Sequence, residues 1–215
     1  MKKISRREAI ACTVFSAGIS VGSAIGAQEY SPEGRYRLIK PVRLLEPSKK
    51  IEVVDIFWYG CPHCYQFLPY IEEWSETAAS DVILRRLPAV FRDSWAPHAR
   101  AFYTAAVLGV SHELHQLIFH AMHTEKRALN TKREFSKFFV EYGIRESSFN
   151  ETYDSFAVDR LTRQSEVMPR RWNVQGTPSL IINGRYLVSG KLAGSYIDMV
   201  KVADALIVKE RKSKA

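Results

Sequence analysis

Cys61 and Cys64 stand three positions apart in the stretch Gly60-Cys61-Pro62-His63-Cys64. Ile51 to Trp58, just before them, is a nearly continuous apolar run with β-branched residues, the pattern of a buried central strand. Pro62 suits the first turn of a helix. The cysteines are therefore expected where a buried strand turns into a helix. Unpaired N–H groups and the positive end of the helix dipole lower a thiol's pKa there. A thiolate so placed attacks disulfides. Cys61 is expected to be the exposed attacking sulfur, and Cys64, one turn in and buried, to resolve the mixed disulfide. His63 can add a cation or a hydrogen bond beside the Cys61 sulfur. Zinc would need about four ligands, and no second cysteine pair exists. Neither a metal nor another cofactor is expected.

The 215 residues, 46% hydrophobic and 25% charged, suffice for one ordinary domain with a substantial core. The start differs from the rest. Lys2, Lys3, Arg6 and Arg7 precede an uncharged stretch from Ile10 to Ala27 that closes in small residues. That is the layout of an export signal, with cleavage expected after Gly26 or Ala27. Ser5-Arg6-Arg7 also resembles a twin-arginine start. Cys12 would leave with residues 1–27, so Cys61 and Cys64 would remain alone in an oxidising compartment. The net charge of +8 would fall to about +5, and the charges are dispersed, so nucleic acid is not an expected partner.

Tyr36 to Ile39 reads as a short edge strand and Ile51 to Trp58 as the central one. The helix from Pro62 is expected to reach about Ala79, with Tyr65, Leu68, Ile71 and Trp74 on one face and a kink at Pro69. Val82 to Leu87 reads as the next strand. From Ala96 to about Arg171 the pattern is helical, with breaks near Gly109, Asn130 and Gly143. Ser179 to Ile182 and Arg185 to Val188 form a hairpin across Asn183-Gly184. Ser195 caps a last helix to about Lys209. This order predicts an α/β chain, a thioredoxin fold with an inserted helical subdomain. Residues 28–95 and 172–215 would form the thioredoxin-like part, and 96–171 the insertion. His112, His115, His120 and His123 read as solvated rather than metal-binding, His98 as structural, and Phe135, Phe138 and Phe139 as helix core.

Val54 to Cys64 (VDIFWYGCPHC), Lys40-Pro41-Val42 and Gly176-Thr177-Pro178 together resemble the DsbA family. The resemblance runs through essentially the whole mature chain. It implies a monomeric periplasmic oxidoreductase that passes its disulfide to reduced, newly exported proteins. It also implies reoxidation by a quinone-linked inner-membrane oxidase of the DsbB type. Asp55 stands where thioredoxin-like proteins keep a buried acid, more often Glu in DsbA proteins, for proton transfer with Cys64. Pro178 resembles the cis-proline facing the disulfide, and Thr177 would offer its backbone to an incoming peptide. A reductase or isomerase on the same fold, and a holdase without redox chemistry, are the rival readings.

Overall fold

The computed structural model describes residues 31–214; the segment read as an export signal lies outside them. The chain enters through an edge strand β1 (Arg37–Leu38), then β2 (Ile51–Phe57), α1 (Pro62–Thr77) and β3 (Val82–Pro88). Five helices follow: α2 (Ala96–Val107), α3 (Ser111–His123), α4 (Lys132–Glu141), α5 (Glu146–Tyr153) and α6 (Phe156–Arg171). The chain then returns through β4 (Ser179–Ile182), β5 (Tyr186–Ser189), a short α7 (Gly190–Ala193) and α8 (Tyr196–Lys214). The sheet order is β1-β5-β4-β2-β3. Only β2 and β3 run parallel, joined by α1; the other pairs are antiparallel. This is a thioredoxin-like fold with helices inserted between β3 and β4.

Every residue of β2 is buried, because strands lie on both sides of it and helices on both faces. Successive side chains alternate between faces. Ile51 and Val53 pack with Phe67, Ile71 and Leu206, while Phe57 joins Cys61, Cys64 and the inserted helices. Val54 and Ile56 face the other way, against Met168 and Trp172. Helix α1 buries Cys64, Phe67, Leu68, Ile71 and Trp74, the i, i+3, i+4, i+7 stripe of an amphipathic helix. Each large apolar side chain so buried contributes roughly 1.5–3 kcal/mol. Phe67, not Tyr65, belongs to that stripe; Tyr65 is half-buried. The helix runs through Pro69.

The hairpin forms as expected, with Asn183 at φ 48° and Gly184 at φ 61°, the pair a type I′ turn requires. Three boundaries depart from the sequence pattern. Ser155 starts α6 by accepting from the Val158 N–H at 3.3 Å, dividing what read as one helix. Ser189 does the same for α7, accepting from Leu192 at 3.4 Å. Helix α8 continues past Lys209 because Glu210, buried in its last turns, is held by Asn183 and Arg185.

Candidate active site

Strand β2 ends at Phe57, and Trp58-Tyr59-Gly60 carry the chain into α1. The Cys61 N–H closes this turn on the Trp58 carbonyl at 3.0 Å. Trp58 lies flat against Trp95, with ring centroids 3.9 Å apart and planes 2° apart. A Cβ at position 60 would overlap the Trp58 ring, so glycine is required there. Cys61 is the N-cap of α1 and Pro62 follows it in the first turn. An N-cap side chain normally accepts hydrogen bonds from the free N–H groups ahead of it. Here the residue is a cysteine, and its side chain makes no capping hydrogen bond.

The two thiols are free, and both are buried. Cys61 is 8% exposed and Cys64 3%, so the sulfur expected to be exposed is itself largely covered, packed in the same core cluster as Phe57 and Tyr59. The Cys61 pKa is lowered to about 5. The largest cause is the Cys64 thiol donating to the Cys61 sulfur; burial opposes it, and Thr177 and the backbone N–H groups of Cys64 and His63 add to it. Cys64 is pushed well above its ordinary value, chiefly by burial and then by its bond to Cys61 and the charge there. One sulfur is thus a thiolate at neutral pH, and its neighbour is a thiol.

His63 acts on the Cys61 sulfur through its backbone N–H. Its ring bonds elsewhere, with Nδ1 3.0 Å from the Tyr196 hydroxyl. That hydroxyl donates to Gln66 Oε1 at 3.0 Å, so His63 must supply the proton to the Tyr196 oxygen. Across the cleft, the Thr177 carbonyl oxygen lies 3.5 Å from the Cys61 sulfur and accepts from it only when that sulfur is protonated. The Thr177–Pro178 bond is cis.

Asp55 is 3% exposed and lies in β2 opposite Arg86 of β3 and Leu180 of β4. Alternation puts it on the face of Val53 and Phe57, beneath α1. Burial raises its pKa to about 7, with Arg86 opposing and Glu72 reinforcing. Its charged neighbours are Arg86 and Glu72, themselves paired at 2.7 Å.

Not all the helix α3 histidines are solvated. His115 is 2% exposed and its Nδ1 meets the Tyr59 hydroxyl at 3.1 Å; burial depresses its pKa strongly. His123 donates from Nε2 to the Tyr59 carbonyl at 2.7 Å and stacks on Tyr65. Both anchor the turn before Cys61 to the inserted helices. His120 pairs with Glu125 at the surface. His98 is structural, bonded to Asn130, with its pKa lowered to about 4 by burial. Among the described residues, no cluster of three or more His, Cys, Asp or Glu could hold a metal ion.

Residues 72–197 match the family model of the DSBA-like thioredoxin domain. The thiol:disulfide interchange protein DsbA of Pseudomonas aeruginosa is 37% identical over 206 residues, covering 95% of this chain and 97% of that protein. The DsbA of Burkholderia cepacia is 31% identical, covering 96% of each. The crystal structure of Pseudomonas aeruginosa DsbA superposes with a TM-score of 0.81 at 37% identity, covering 87% of this chain and 98% of that one.

Proposed function

Since this chain belongs to the DsbA-like thioredoxin family and is a thiol–disulfide oxidoreductase, we propose that Cys61 is the sulfur clients meet and Cys64 the sulfur that leaves. A client thiolate attacks Cys61 of the oxidised protein. The Cys61–Cys64 bond breaks, its electron pair goes to Cys64, and Cys64 takes a proton. A second client thiolate then attacks the client sulfur of the mixed disulfide, and Cys61 departs as a thiolate. The client gains a disulfide, the protein gains two electrons, and the second client proton passes to solvent. The low pKa of Cys61 makes this second departure fast. The observation carrying this reading is the split between Cys61, lowered to about 5, and Cys64, raised well above its ordinary value. The test is the equilibrium potential of the pair against glutathione. A value near or below thioredoxin's, about −270 mV, would mark a reductase and overturn the reading.

Asp55, raised to about 7, can hold or release a proton at working pH, which supports it as the proton store for Cys64. The basic, then apolar start supports export to the periplasm, with residues 1–27 removed. Reduced exported proteins are the proposed clients, and a DsbB-like quinone-linked membrane oxidase the proposed electron acceptor. Residues 28–95 and 172–215 are proposed as the redox unit and 96–171 as its helical cover. No helix among the described residues is long and apolar enough to cross a membrane.

Thr177 is the proposed docking edge, with Pro178, which has no N–H, ending the donors on that side. In a mixed disulfide trapped by Cys64→Ser with a short peptide, exchange of the Thr177 amide should slow by about tenfold or more. Unchanged exchange would remove Thr177 from docking. His63→Leu should raise the Cys61 pKa by less than about one unit, because the backbone N–H at 63 survives the change. Titration of thiolate absorbance measures this; a rise of several units would assign the effect to the ring.

A further inference from the structure

A groove of about 840 Å³ runs from His63 past the Thr177-Pro178 turn to α7 and the start of α8. Its floor is aromatic and aliphatic. Tyr70 and Tyr196 lie with ring centroids 6.0 Å apart, and Ile197 is 49% exposed. The Tyr196 hydroxyl is committed to His63 and Gln66, so Tyr196 presents its ring to an occupant. Charge on the groove has one sign. Arg37 and Lys191 line it, and no described residue lining it carries a carboxylate. Asp198, in the first turn of α8, is engaged by Ser195 and Arg35. Arg37 is steadied by donating to the Asn173 carbonyl.

We infer that Lys191 and Arg37 are specificity determinants, and that the groove favours client segments carrying an acidic residue next to an apolar or aromatic one, near the reacting cysteine. The apolar side chain would lie on the tyrosine floor and the carboxylate at the Lys191 rim. The inference rests on the proposed docking edge at Thr177, which delivers the client cysteine to Cys61 and its flanking residues to this groove. An exposed ion pair changes a rate or an equilibrium by up to about fivefold, and salt screens it. The discrimination is therefore a bias among clients rather than a strict code.

The experiment uses reduced peptides with one cysteine pair and one aromatic residue, differing only in Glu, Gln or Lys four positions from the attacking cysteine. Rates of oxidation by the oxidised protein are followed by stopped flow. Each is divided by the same peptide's rate with a small uncharged disulfide, which removes any effect of the charge on the peptide's own thiol. The Glu peptide should react about fivefold faster than the Lys peptide at low salt, with Gln between. The ratio should approach one in about 1 M salt. Lys191→Glu, at an exposed position, leaves Arg37 as the opposing charge and should erase the preference. Equal Glu and Lys rates, or a preference unmoved by Lys191→Glu, overturns the inference and leaves the docking edge standing if Thr177 is still protected. Loss of that protection with every peptide is the failure of the docking edge, and takes this inference with it.

Discussion

Cys61→Ser should reduce disulfide transfer to the background rate, while Cys64→Ser, given a single-cysteine client whose sulfur is activated as a disulfide with a small aromatic thiol, should displace that thiol and accumulate a Cys61–client disulfide, on the order of one per protein molecule. The two cysteines differ in every respect that decides their roles. Cys61 is the N-cap of α1, and donors converge on its sulfur. Serine is itself a preferred N-cap, so Cys61→Ser keeps the helix start and loses only the chemistry. In Cys64→Ser the hydroxyl can still donate to the Cys61 sulfur, the role that contributes most to its lowered pKa. The variant therefore retains a reactive Cys61 and lacks the thiol that would attack Cys61 in the mixed disulfide and return the client in its reduced form. Non-reducing gels and mass spectrometry of the trapped species measure the outcome. Clients joined to Cys64 in a Cys61→Ser background would reverse the assignment.

The second large effect is on pH. A depressed thiol pKa stabilises the reduced protein. That gain is complete above the unfolded thiol's pKa of about 8.5 and disappears as pH falls through about 5. At pH 7 it amounts to at most about 2.7 kcal/mol, less what solvent screening takes back at the open side of the site. For two electrons this corresponds to at most about 60 mV of added oxidising power. The difference in melting temperature between reduced and oxidised protein should therefore shift against the reduced form between pH 7 and pH 4, by up to about 5–10 °C. Buried His98 and His115 burden both redox forms alike, so their effects cancel in the difference. The potential should fall by about 30 mV per pH unit above pH 5, where one proton accompanies two electrons, and by about 60 mV per unit below it. A single slope across pH 5 would show that Cys61 is not the thiolate.

What could be read without coordinates was mostly local. An unbroken apolar run can only be a strand covered on all sides, and β2 is one. An acid inside that run had to be buried, and Asp55 is. Asn183-Gly184 fixed its own turn. The relatives and the matched family agree with the resemblance carried by CPHC and Gly176-Thr177-Pro178. What escaped was tertiary. Tyr196 meets His63 across 133 positions, and neither residue's surroundings in the chain announce the other. His115 looked solvated because it shares one arc of roughly 140° of its helix with His112, His120 and His123; only packing against Phe57 and Tyr59 decides which ones are covered. Ser155 and Ser189 were ordinary polar residues until their hydroxyls became helix caps.

The close fit of Gly60 against Trp58 also bears on how this site can change over generations. The indole cannot swing aside for a new side chain at 60, since Trp95 lies stacked on it and His98 lies beside it. A larger residue at 60 would be rejected while Trp58 remains, yet a lineage that had first lost the indole could accept it. The two positions are epistatic, and the order of substitution matters. Randomising both together should recover non-glycine residues at 60 only alongside smaller residues at 58, so a position three residues before Cys61 limits the paths by which the turn beside the attacking sulfur can evolve.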